Sequence, residues 1–103
     1  MANQGRYFDR NGSPIDLMTW ARIIEDDRDN VVRRIAETTL ADGKWISTVW
    51  LGLNHNFMQS GPPLIFETMV FPSEDNYSDI DCDRYSTEAE ALAGHEMMVR
   101  KYS

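Results

Sequence analysis

KWISTVWLGLNHNFMQSGPPLIFETMVF, running from Lys44 to Phe71, decides the fold. Two runs rich in β-branched and aromatic residues flank a segment of Asn, Gly, Ser and Pro, the pattern of two strands joined by a loop. The stretch holds two of the three tryptophans and three of the four phenylalanines. Trp45 to Leu51 alternates, with Trp45, Ser47, Val49 and Leu51 on one side and Ile46, Thr48 and Trp50 on the other. Leu64 to Phe71 is apolar on both faces apart from Glu67 and Thr68, as expected of a central or doubly covered strand. The loop between them, Leu53 to Pro63, carries His55 flanked by Asn54 and Asn56.

Upstream, Val31 to Leu40 is β-branched at five of ten positions and predicts a first strand, with Ala41-Asp42-Gly43 as the turn into the next. Before it, Leu17, Trp20, Ala21 and Ile24 recur at helical spacing, with Asp16 placed to cap the free N–H groups and the helix ending near Asp26. Tyr7-Phe8 reads as a short strand ahead of an Asn11-Gly12 turn. Downstream, Pro72 to Tyr85 reads as an acidic loop. Thr87 and Glu90 form a capping box at the start of a last helix. Its expected inward stripe is Leu92, His95, Val99 and Tyr102, with Ala91 and Met98 beside it. The expectation is a single α+β domain over residues 1–103, ordered α-β-β-β-α. Its sheet is a three-stranded antiparallel meander with both helices on one face, and a short strand precedes it. That order is also the order of the double-stranded-RNA-binding domain. Thr87, Glu88 and Glu90 stand where that family places lysines, the wrong sign for phosphate, so no direct nucleic-acid contact is expected.

Charge sharpens that exclusion. The chain carries −7 overall. Residues 1–52 hold eight acids and seven bases, whereas residues 53–103 hold nine acids and three bases. An acidic half repels phosphates and suits a basic protein surface, with Glu74, Asp75, Asp79, Asp81, Asp83, Glu88 and Glu90 as the docking residues. No apolar run approaches the roughly 20 residues of a membrane helix, so no membrane contact is expected. The single cysteine, Cys82, fits a reducing cytoplasm.

Several constellations bear on chemistry. Asp79, Asp81, Asp83, Tyr85, Thr87 and Glu90 match the ligand spacing of a calcium-binding EF-hand loop, but Arg84 replaces its turn glycine and no helix leads in. His55, Glu67 and His95 are too few and too scattered for a zinc site, and His95 lies on an apolar helix face. Cys82 between two aspartates is poorly placed to become a thiolate. No catalytic residue, metal or cofactor is expected. A second site is conceivable for a small ligand such as a nucleotide, in a homo-oligomer with the 54–61 loop as its lip. Arg33, Arg34, Trp50, Asn54, His55 and Asn56 would line it. The doubly apolar third strand leaves one face to be covered either by the N-terminal segment or by a second copy through Ile65, Met69 and Phe71.

The motifs WISTVWLGLNHNF, PPLIFETMVF and RYSTEAEALAGHE resemble a group of small proteins encoded by tailed bacteriophages and prophages, notably of actinobacteria. The resemblance runs from about Tyr7 to Val99 and brings no assigned catalytic or binding residue. It implies a phage accessory protein of the bacterial host cytoplasm. Together with the charge, it implies a non-enzymatic protein that binds a host or phage partner and interferes with a defence or nucleic-acid-handling enzyme.

Overall fold

The structure is a computed structural model that describes residues 5–58 and 60–103. The first four residues of the polar leading segment and Gln59 of the 53–63 loop lie outside them. The chain runs β1 (Tyr7–Phe8), β2 (Pro14–Ile15), α1 (Leu17–Asp26), β3 (Arg34–Thr39), β4 (Trp45–Trp50), β5 (Phe66–Phe71), β6 (Asp81–Tyr85) and α2 (Glu88–Tyr102). β1 and β2 form a two-stranded antiparallel ribbon, and β3-β4-β5-β6 form an antiparallel meander.

The α+β class and the short leading strand are as the sequence indicates. The meander has four strands rather than three, because part of the expected acidic loop is strand β6. Four strands also separate this topology from the RNA-binding order. Asp81, Asp83 and Tyr85 pair opposite Val70, Thr68 and Phe66, and Cys82 and Arg84 opposite Met69 and Glu67. Every second N–H of an edge strand faces away from its sheet. Along β6 the N–H groups of Cys82 and Arg84, two residues apart, donate to the carboxylates of Asp81 and Asp83 at 2.8 and 2.9 Å. The aspartates that make this segment read as a loop therefore satisfy its backbone as a strand.

β3 is shorter at its start than the sequence suggests. The buried Asp27 carboxylate accepts from the N–H groups of Val32 (2.9 Å) and Arg33 (3.0 Å) and from Arg33 Nε (3.2 Å). This folds 27–33 into a turn, with Asn30 left-handed at φ 58°. Burial raises the Asp27 pKa, but these donors outweigh it and hold the group below the ordinary aspartate value.

The helices do not share a face. α2 lies across all four strands of the meander. α1 packs instead against the ribbon and the end of the sheet. Tyr7 and Trp20 rings sit 5.1 Å apart, and Trp20 Nε1 donates to the Leu51 carbonyl at 3.1 Å. Ile23 and Ile24 join Trp20 against the core of Phe8, Trp50, Ile65, Phe66 and Ala91. Gly52 makes this junction possible. It has φ 70°, and a Cβ there would lie 2.4 Å from the Trp50 ring and 2.6 Å from Trp20 Nε1.

Both helix starts are capped as the sequence predicts. Asp16 accepts from Thr19 N at 2.8 Å. Thr87 and Glu90 exchange side-chain-to-backbone bonds at 3.1 Å each. The inward stripe of α2 is rotated from the expected one. Ala91, His95 and Met98 are buried, while Leu92 is 46% exposed. Gly94 allows the rotation, because its missing side chain makes room for the Tyr85 ring. A Cβ there would meet Tyr85 Oη at 2.2 Å.

Candidate functional site

The four-stranded sheet has two unlike faces. Beneath α2, cross-strand register stacks Thr38 beside Ile46, Thr48 beside Thr68, and Trp50 beside Phe66. His95 descends onto this layer and is 2% exposed. Its Nε2 is 2.9 Å from Thr38 Oγ1 and its Nδ1 2.7 Å from Thr48 Oγ1, which in turn is 2.5 Å from Thr68 Oγ1. Burial drives the His95 pKa down, since a charged imidazolium would lose its water. A neutral ring donating through one nitrogen and accepting through the other satisfies the hydroxyl chain. This is a histidine of the core, as its apolar helix face suggests. Two polar atoms near this layer, Tyr85 Oη and Trp50 Nε1, are buried without a hydrogen-bond partner among the described residues. Burial raises the Tyr85 pKa, and the neighbouring Thr68 hydroxyl opposes it only in part.

The opposite face carries no helix across its centre. Trp45 stacks on Phe71 at 5.2 Å, and Tyr77 meets Phe71 edge-on at 5.9 Å. Met69 lies beside them in register with Ser47 and Cys82. Glu67 is largely buried and paired with Arg84 Nε at 3.0 Å. Cys82 Sγ is 3.7 Å from the same carboxylate. Burial and then the Glu67 charge push its thiol up to about 11, so it is a poor nucleophile. Of the three residues named for self-contact, Met69 and Phe71 are on this face. Ile65 is not, being buried against Phe8 and Trp50. The N-terminal ribbon bridges to Leu53 at the sheet's end, and the cover on Phe71 comes from Trp45 and Tyr77.

The metal-like spacings dissolve in three dimensions. Residues 81–85 are extended rather than wrapped as a loop. Asp81 is occupied by Lys101 (2.8 Å) and the Tyr102 hydroxyl (2.7 Å), which hold its carboxyl at about 2. His95 and Glu67 lie on opposite faces of the sheet, and no group of three candidate ligands is found among the described residues.

The small-ligand set is not one cluster either. Arg33 and Trp50 meet at a shallow cleft of about 440 Å³ with Trp20, Asn30 and Trp45. Arg34 is turned to Glu37 at 2.9 Å. Asn54, His55 and Asn56 belong to the loop beyond, where they build the backbone. Asn54 Oδ1 accepts from the N–H groups of Asn56 (2.8 Å) and Leu64 (3.0 Å). Asn56 donates to the Ser60 and Pro62 carbonyls and accepts from Met58 N. His55 Nδ1 is 2.8 Å from the Leu53 carbonyl, which fixes it as the donor.

The acidic set is partly gathered. Glu88 is paired with Arg10 at 2.9 Å, and Glu74 accepts from Thr39 at 3.2 Å. Asp75 is exposed in the 72–80 loop. Asp83 and Glu90 flank a groove of about 410 Å³ between β6 and α2. Tyr85, Ala93 and Gly94 also line it, together with Met97, which is 67% exposed. Asp81 continues the acidic line along the same strand, and Asp79 precedes it in the chain. No family model, curated protein or solved structure matches this chain. Its chemistry rests on these surfaces. No helix among the described residues is long and apolar enough to cross a membrane. Sequence reasoning missed the groove because its small-residue wall depends on β6 and on the rotated α2 stripe. The Ala93-Gly94 pair opposite an acidic segment was its only signal.

Proposed function

We propose that this chain is a non-enzymatic accessory protein, of the type carried by tailed bacteriophages, acting in the host cytoplasm. It binds a host or phage protein that presents a basic surface, and so interferes with a defence or nucleic-acid-handling enzyme. The observation that carries this is the β6–α2 edge. Asp79, Asp83 and Glu90 line one border of the molecule, and between the last two lies a groove whose Ala93-Gly94 wall and projecting Met97 can receive an apolar side chain from between two basic ones. Two titratable groups that could have served catalysis are committed elsewhere, His95 to threonines and Cys82 to a site where burial, and then the Glu67 charge, suppress its thiolate. The test is capture of partners from host lysate by the full chain at low and high salt, with the Asp79→Lys/Asp83→Lys variant alongside. A partner held at low salt and lost in the variant supports the proposal. A partner indifferent to the charge reversal sinks it, as does no partner at low salt.

A second reading, a nucleotide binder, is favoured by one observation only: Arg33 shares a cleft with the Trp20 and Trp45 rings. A ligand that binds only the folded state raises the melting temperature. No shift with any nucleotide removes this reading.

A further inference from the structure

Residues 51–66 contain no Asp, Glu, Lys or Arg, in a chain that is 26% charged. Much of this stretch is surface: it holds the loop that Asn54 and Asn56 stitch together. At its tip Phe57 is 82% and Met58 78% exposed. Met58 N is held by Asn56 Oδ1 at 3.0 Å, and the Phe57 ring leans on His55 at 6.0 Å. Two large apolar side chains are thus presented to water beside hydrogen-bonded backbone, as the anchors of an interface are.

The base of the same loop forms a wall of a cleft of about 750 Å³. Pro62, Pro63 and Leu92 line it, with the buried Phe8 and Ile65 beneath. On its border Arg10 and Glu88 neutralise each other at 2.9 Å. We propose that Phe57 and Met58 of one copy insert into this cleft of a second copy, and the reverse, forming a two-fold dimer.

Charge confines contact between two copies to this surface. Two chains of −7 repel wherever their acids face each other, and a two-fold contact sets each patch against itself or its neighbour. The uncharged surface around Phe57 and Met58 and the neutralised cleft border are where such a contact costs least. Loss of charge with exposed aromatic and Met side chains is also the composition of interface centres. Anchor and cleft share one loop, so a single two-fold axis can engage both pairs together. Each insertion hides a phenylalanine, roughly 150–250 Å², a methionine and the walls they cover. Two insertions reach the order of 1,200 Å² that a stable interface needs. The acidic β6–α2 edge takes no part, so this dimer stands or falls independently of the partner proposed above.

Sedimentation velocity of the full chain over the micromolar range tests it. The expected result is a concentration-dependent dimer. Phe57→Asp and, separately, Leu92→Glu should each raise the dissociation constant on the order of 1,000-fold, since each acts at both insertions. Both positions are exposed, so thermal melts at a concentration where all three proteins are monomeric should coincide and confirm folding. A wild-type monomer up to hundreds of micromolar overturns the proposal, as does a dimer that survives either variant. Dependence on Phe57 without Leu92 would mean tip-to-tip contact and overturns the cleft assignment.

Discussion

The two faces of the meander solve the same problem in opposite ways. Under α2, polar groups at the centre of the sheet are dry and joined to one another, with His95 linking three threonines from three strands. On the other face, Glu67 is nearly as buried but answers to Arg84, whose side chain is 40% exposed, and aromatic rings cover one another without a helix. One face is held by hydrogen bonds in a low dielectric, the other by a screened ion pair and ring stacking. The comparison teaches that burial alone does not fix how a polar group is satisfied. What lies above it does.

That contrast can be broken from its strongest point. His95→Ala should destabilise most, by about 3–4 kcal/mol, because it opens a cavity and strands threonine hydroxyls in a dry layer. Chemical denaturation reads this directly, and a loss below about 1 kcal/mol would mean the layer is wet. Gly94→Ala comes next. In an ordinary helix it should stabilise by up to about 1 kcal/mol. Here the added methyl falls 2.2 Å from Tyr85 Oη, with ring carbons at 2.3 Å, so a loss of about 1–3 kcal/mol is expected. A gain would show that α2 rides higher above β6 than described.

A pH series separates the faces without mutation. His95 has a folded pKa below its ordinary 6.5, so the unfolded chain binds the extra proton first. The stability this neutral ring contributes is complete above about 6.5 and is lost as pH falls toward its folded value. The Asp81 carboxyl, held at about 2 by Lys101 and Tyr102, acts in a lower window, below its ordinary 3.8. Melting temperature should therefore begin to fall near pH 6.5, and His95→Gln should remove that first decline. A decline retained in the variant would assign it elsewhere.

On the open face, Arg84→Ala should cost only about 1 kcal/mol, since solvent can replace much of the pairing to Glu67. Adding salt should narrow the difference from wild type, and a larger, salt-insensitive loss would make this face as dry as the other. The smallest expected effect is that of Asp79→Lys, an exposed acid that takes no backbone donor of β6, within about 0.5 kcal/mol, read by the same melts. It thereby separates the acidic edge's role in docking from any role in folding.

Much of this was legible in the sequence. The Trp45–Trp50 alternation, the doubly buried β5, both helix caps and the core role of His95 are short-range patterns, and they hold. What failed depended on a partner segment. β6 has acids at alternate positions and low strand propensity. It is a strand because Thr68 and Val70 lie across from Asp83 and Asp81 and because its own carboxylates take backbone donors. Leu92 fits a helical stripe as well as Ala91 does. The choice between them is made by the absent side chain at Gly94, visible only once Tyr85 is beneath it. Asn54 and Asn56 looked like ligand contacts, whereas their amides hold a loop together. No residue in isolation says whether an amide will face a ligand or a backbone.

The aspartates along β6 have one more effect. Sheet borders are where identical chains zip onto one another into fibres, drawn by vacant donors. Here that vacancy is filled from within, by acceptors that also bring repulsion with them. The molecule can thus be crowded without templating its own aggregation along this border.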